Sequence, residues 1–160
     1  MKTLGSTVRQ SGEGERRWFC GGGLITWKAT AAETGGAFLL FEDVLDLGKV
    51  TPLHVHPEVD ETFYLLEGEI SLYIDGEHRT VGAGGVAVMP RGVPHAFKVT
   101  SPGTRLLCLH TPGADEEFYR LASEPAPDGS PAIPVDFGRI GAAAQATGAI
   151  EILGPPPFDA

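Results

Sequence analysis

From Trp18 to Thr111 the chain alternates short runs of apolar and β-branched residues with turn residues. No segment of that stretch carries a sustained helical period. The runs read WFCGGGLITWKA, AFLLFEDVLD, TPLHVH, ETFYLLEG, ISLYID, HRTV, VAVMP, PHAFKVT and TRLLCLHT. Asp75-Gly76 separates two of them and signals a tight hairpin. Strands recurring every ~8–12 residues without intervening helices predict an antiparallel sandwich or barrel. The texture changes after Pro112. ADEEFYRLAS puts Asp115, Glu116 and Glu117 where the first helical turn would favour anions, which predicts a helix over 115–123. A Pro-rich linker, EPAPDGSPAIPVD, leads to FGRIGAAAQATG, which predicts a helix over 136–147 with Gly148 as its C-cap. The expected organisation is a polar N-terminal arm over 1–17, a β-domain over 18–111, and a helical, Pro-rich appendage over 112–160 that packs on the β-domain.

Composition narrows the function classes. A chain of 160 residues with 42% apolar and 21% charged residues can build one domain with its own core. A net charge of −9 argues against nucleic acid or an anionic membrane as partner. The two cysteines, Cys20 and Cys108, form no CxxC pair and are expected as buried free thiols. The N-terminal stretch has no apolar secretory core, and no run approaches the ~18 apolar residues of a membrane span. A soluble, cytoplasmic protein is the expectation.

The candidate chemistry lies in GKVTPLHVHPEVDETFYLLEG, residues 48–68. In a strand, residues i and i+2 share a face, so His54 and His56 project together, about 6.6 Å apart along the strand. Two imidazoles at that spacing can tilt toward one cation. Pro57 interrupts the ladder, and the chain can turn through PEVD into a new strand. There Glu61, Phe63 and Leu65 share an inward face. A carboxylate heading an apolar inward row is expensive unless paired or bound to a cation. A second cluster, GGVAVMPRGVPHAFKV, repeats the theme: after the Pro90-Arg91-Gly92 turn, His95 opens a row with Phe97 and Val99. A lone histidine in such a place would read as a hydrogen-bonded core or rim residue. Three histidines at strand starts, together with Glu61, do not. His78, in a charged stretch after a hairpin, is expected to be exposed, and His110 to be a rim residue at a strand end. The inward residues available to line or fill a pocket are Phe41, Phe63, Leu65, Met89, Phe97 and Leu109.

These two stretches resemble the cupin superfamily. Gly48, His54, His56, Glu61 and Gly68 match every position of the first cupin motif, and Gly84, Pro90, Gly92 and His95 match the second. The second motif ends in an asparagine in the family, and Val99 stands there instead. The resemblance implies an all-β double-stranded β-helix, a jelly-roll barrel with a short helical C-terminal appendage. It also implies one divalent transition metal ion held by His54, His56, Glu61 and His95. The ligands are nitrogen and oxygen without thiolate, which suits iron, nickel, manganese, cobalt, copper or zinc. More loosely, the flanking strands and GAIEILGPPPF look like the bacterial quercetinase-like cupins. That likeness implies a dioxygenase acting on a flavonol or other phenolic or aromatic small molecule, with dioxygen as co-substrate and Glu61 as ligand and base. A metal-dependent cyclase or isomerase of polyketide or aromatic metabolism, or a non-enzymatic binder of small molecules, would carry the same motifs. The resemblance further implies a homodimer, formed through the N-terminal arm and the strand that follows it.

Overall fold

The computed structural model describes residues 3–159. In chain order its elements are β1 (Arg16–Phe19), β2 (Leu24–Ala29), β3 (Leu39–Leu45), β4 (Leu53–Val55), β5 (Asp60–Glu67), β6 (Glu69–Ile74), β7 (Glu77–Gly82), β8 (Val86–Met89), β9 (His95–Val99), β10 (Thr104–Thr111), α1 (Glu116–Leu121), β11 (Ser123–Pro125), α2 (Phe137–Thr147) and β12 (Glu151–Gly154). The strands form two antiparallel sheets, a seven-stranded one ordered β11-β1-β2-β3-β10-β5-β8 and a five-stranded one ordered β12-β4-β9-β6-β7. This is the antiparallel sandwich that the strand spacing predicts, in the jelly-roll arrangement that the cupin resemblance implies. No helix among the described residues is long and apolar enough to cross a membrane.

Strict alternation along the strands builds the interior. β3 buries Leu39, Phe41, Asp43 and Leu45, and β5 buries Glu61, Phe63 and Leu65. The core between the sheets includes Trp27, Ile25, Leu65, Ile70, Met89 and Leu106, all almost fully buried. Turn chemistry fixes the register. Asp75 and Gly76 have φ of 55° and 75°, the left-handed pair that a two-residue hairpin needs between β6 and β7. Gly68, with φ 78°, turns β5 into β6, and a Cβ there would come within 2.6 Å of Thr104 Cα, so only glycine fits.

Several expectations are corrected. The run WFCGGGLITWKA is two strands: β1 folds back on β2 through Gly21–Gly23, with Trp18 opposite Leu24. The helix expected over 115–123 is only Glu116–Leu121, because Ser123–Pro125 pairs with β1 instead, and Arg17 Nε donates to Ser123 Oγ at 2.6 Å. The appendage is woven into the barrel: it adds β11 to one sheet and β12 to the other, with Ile152 opposite His54. α2 is built as read, with Asp136 accepting from Arg139 N at its start and Gly148 left-handed at its end. Leu109, expected inward, faces outward. On β10 the inward row is Thr104, Leu106, Cys108 and His110. Leucines on both faces of that strand hide its phase.

The polar arm lies along its own chain over the described part. Arg9 forms a bidentate pair with Glu33, and Lys28 Nζ donates to Glu13 O at 2.7 Å. The first two residues of the arm lie outside the described residues.

Candidate metal centre

The two motif stretches meet because β4 pairs with β9, setting His54 directly opposite His95. His56 follows the end of β4, and its carbonyl accepts from Gly92 N at 2.9 Å, which ties the first motif to the turn of the second. Arg91 adds a bidentate contact to Asp60, the residue before Glu61. β5 then crosses to the other sheet and presents Glu61 from the opposite wall. One ligand atom from each of His54, His56, Glu61 and His95 lies within 4.8 Å of the others, and all four residues are buried. The rings of His54 and His95 are 4.5 Å apart, and those of His54 and His56 5.3 Å.

The orientation of the imidazoles tests whether these residues fit a cation. Nδ1 of His54 lies 2.8 Å from Pro52 O, and Nδ1 of His95 lies 2.9 Å from Val93 O. Nδ1 of His56 lies 2.8 Å from Asp115 Oδ2. In each case an acceptor takes the Nδ1 proton, the arrangement that fixes the tautomer of metal-bound histidines and leaves Nε2 for the ion. Nε2 of His56 is buried and has no hydrogen-bond partner. It does lie 3.2 Å from Glu61 Oε2, but the contact is an ion pair off the hydrogen-bonding direction. An orphaned inward nitrogen beside a carboxylate, with two more imidazoles at hand, fits a divalent transition ion held by three nitrogens and one oxygen.

Around these four lies a shell that the sequence did not reveal. His110 is fully buried and is not a rim residue. It stands opposite Glu61 across β10 and β5, with Nε2 3.0 Å from Glu61 Oε1 and Nδ1 3.1 Å from Asp115 Oδ2. Asp115, at the N-cap of α1, spends its carboxylate on His56 and His110 and not on its own helix. Tyr119 Oη lies 3.4 Å from His110 Nε2, and Cys108 Sγ donates to Glu61 Oε1 at 3.5 Å. The only available signal was a third i+2 relation, Cys108 with His110, masked by the leucines around them. His78 is exposed and packs on Tyr73 and Phe158, away from the site.

The electrostatics follow from this packing. Burial would push Glu61 up, but the positive charge of His56 and the close contacts with His110 and His95 hold it well below the usual carboxylate range. Burial would lower His56, but Glu61 and Asp115 outweigh it and hold it at about 10. His54 has no such carboxylate partner, and burial, with His95 and His56 nearby, pushes it down to about 3.

The site opens into a cavity of about 70 Å³ between the sheets. Phe41, Phe63 and Phe97 line it, as expected of them, while Leu65 and Met89 fill the core and Leu109 lies outside. Phe118 and Tyr119 of α1, Phe137 and Ile140 of α2, and Ile150 complete the wall, so the C-terminal third closes the barrel over the site. Cys20 and Cys108 are buried free thiols.

Comparison with known proteins agrees with this geometry. A family described as "Cupin domain" (Cupin_2) matches residues 42–111. A quercetin 2,3-dioxygenase of Bacillus subtilis is 36% identical over 119 residues, 72% of this chain and 34% of that protein. An uncharacterized protein of Aquifex aeolicus is 37% identical over 62 residues, 39% of this chain and 51% of that one. The chain therefore spans about a third and about half of these two relatives. Among solved structures, an RmlC-like cupin from Shewanella frigidimarina superimposes with a TM-score of 0.61 at 21% identity, covering 71% of this chain and 96% of that one. A predicted oxalate decarboxylase from Thermotoga maritima gives 0.58 at 22% identity, covering 66% and 98%. At such identities these structures speak for the fold alone; the match to the cupin domain covers residues 42–111, and the chain resembles the quercetinase-like cupins.

Proposed function

We propose that the protein is a metal-dependent dioxygenase of the quercetinase type, acting on a flavonol or related phenolic compound. The observation that carries this reading is the convergence of three Nε2 atoms and Glu61 at the end of a cavity walled by phenylalanines. The likeness to the Bacillus quercetin 2,3-dioxygenase supports it. His54, His56, Glu61 and His95 hold one divalent transition ion, which supplies Lewis acidity toward a substrate oxygen and a place for dioxygen. The protein's own part is proton handling and exclusion of water. Glu61 takes the phenolic proton, and His110, between Glu61 Oε1 and Asp115 Oδ2, holds that carboxylate in place. Apolar walls keep bulk water from the reacting atoms.

A cavity of about 70 Å³ lies below the ~300–1,000 Å³ of pockets that take drug-sized ligands. Entry of an aromatic substrate therefore requires the wall of Phe137, Ile140 and Ile150 to swing outward. These three lie on or beside α2, whose first residue, Phe137, is 45% exposed.

The test is elemental analysis of protein purified without chelator, followed by oxygen uptake with quercetin. About one divalent ion per chain is expected, with oxygen consumed in step with flavonol loss. Metal at 100 times its dissociation constant should stabilise the fold by about 2.7 kcal/mol, lost on chelation. His56→Ala should lose metal. A His56→Ala protein with full metal content would sink the ligand assignment. Turnover that proceeds unchanged under nitrogen would point to a cyclase or isomerase instead.

A further inference from the structure

Asp43 occupies the inward row of β3 between Phe41 and Leu45, where alternation demands an apolar side chain. It is 7% exposed. Its one charged partner, Lys49, reaches Oδ2 at 3.8 Å, too long for a hydrogen bond. Lys49 Nζ is instead committed to Gly22 O at 2.7 Å and lies 5.1 Å above the Phe19 ring and 5.5 Å from that of Phe97. Oδ1 of Asp43 is buried with no hydrogen-bond partner. Room for it is left by Gly23, where a Cβ would come within 2.7 Å of that oxygen. A buried carboxylate oxygen without a donor is costly to the fold unless something supplies one. Asp43 and Lys49 both line the same cavity as the metal centre.

Sheet register gives the separation. Glu61 stands opposite His110, and Asp43 opposite Leu106 on the same strand. Four residues of β10 separate the two levels, about 13 Å at the usual strand rise. The cavity thus has a polar group at each end and aromatic rings between.

We infer that Asp43, positioned by Lys49, is a recognition residue for a hydroxyl group at the end of the substrate remote from the metal centre. This rests on the aromatic-substrate reading above and narrows it: the substrate class is a polyhydroxylated aromatic of linked rings, not a phenol with a single metal-directed oxygen. The ring system lies against Phe63 and Phe97, and the remote hydroxyl donates to Oδ1.

The test is calorimetric titration of the metal-loaded protein under nitrogen, which prevents oxygen-dependent turnover, with quercetin and with 3-hydroxyflavone. The two share the metal-directed oxygens and differ in the hydroxyls of the outer rings. Quercetin should bind about tenfold more tightly, the size expected of one hydrogen bond to a charged group. Asp43→Ala should bring the ratio close to one. Asp43→Asn keeps the shape, guards against loss of fold in the alanine variant, and should shrink the preference. Because the ratio is taken within one protein, partial loss of active material cancels. A wild-type ratio near one, with both compounds bound, overturns the role of Asp43 and leaves the proposed function standing. A ratio unchanged in both variants does the same. Binding of neither compound by metal-loaded wild type overturns both.

Discussion

Glu61 and Asp43 are the same chemical problem solved in two ways. Each is a carboxylate on an inward, otherwise apolar row of the larger sheet, and each is more than nine-tenths buried. Glu61 is surrounded: Cys108 donates to it, Nε2 of His95 and of His110 lie within 3.0 Å of its oxygens, and His56 stands at ion-pair distance. Asp43 has one distant lysine and an empty Oδ1. The neighbours set opposite titration. Glu61 is held well below the carboxylate range, whereas burial lifts Asp43 to about 6, with Lys49 only partly offsetting it. One carboxylate is ringed by polar partners. The other has a buried oxygen without a donor.

Removing the charge at the saturated end should have the largest effect. Glu61→Gln keeps the shape and an oxygen but gives up the charge that His56, His95 and His110 are arranged around. Metal occupancy should fall, and at matched occupancy flavonol turnover should drop by about 10²–10⁴-fold, the usual cost of losing a general base. Elemental analysis and oxygen uptake on the same preparations separate the two losses. Equal turnover at equal occupancy would leave Glu61 as a ligand only.

At the unsaturated end the consequence is a pH-dependent stability of definite sign. The Asp43 carboxyl titrates near 6 in the folded chain and near 3.8 in its ordinary state. Below about pH 3 it is protonated in both states and makes no difference. As pH rises toward 6 the unfolded chain releases its proton first, so folding is progressively disfavoured, on the order of 3 kcal/mol in all. Asp43→Asn removes that dependence. Between pH 4 and 7 the stability of the asparagine variant relative to wild type should climb by that order, measured by urea unfolding at each pH. Groups common to both proteins cancel in the difference, and a flat difference would show that Asp43 is solvated or paired in solution.

The contrast also explains what could be read from the chain. His54, His56, Glu61 and His95 were legible because each sits at a strand end beside a proline or glycine turn, where local alternation fixes its face. The same row argument that flagged Glu61 applies to Asp43, which shares the face of inward Phe41 in LLFEDVL, but no neighbouring histidine or turn marks it as chemistry. Its lack of a donor appears only once β3 is packed against its neighbours. His110 and Asp115 were illegible for a different reason. Their contacts with Glu61 and His56 span about fifty residues or more, and Asp115 has a ready local explanation at a helix start that the structure does not use. β11 and β12 are three and four residues long and become strands only because β1 and β4 offer edges. Tertiary pairing, which no local period encodes, created both.

A third carboxylate calibrates the other two. Glu33 makes a better pair than either, with both Arg9 nitrogens within 2.9 Å and Thr30 N donating to Oε2, but at the surface, where its side chain is 28% exposed. The Arg9 hydrogen bond, with Thr30 beside it, lowers its pKa to about 2 from 4.5. The sign is that of Glu61 and opposite to Asp43: the pair stabilises the fold above about pH 4.5, and the gain fades as pH falls toward 2. Solvent screens it, so the shift cannot be read directly as stability, and exposed pairs are worth ~0.2–1 kcal/mol. Glu33→Gln should therefore lower stability by no more than about 1 kcal/mol at pH 7 and low salt, and by less at 1 M salt, where the screening length shrinks to ~3 Å. Thermal melts at both ionic strengths check this. A loss as large in size as the gain expected of Asp43→Asn would mean that the arm around Arg9 is part of the folding unit, with burial mattering less than geometry in setting what a carboxylate contributes here.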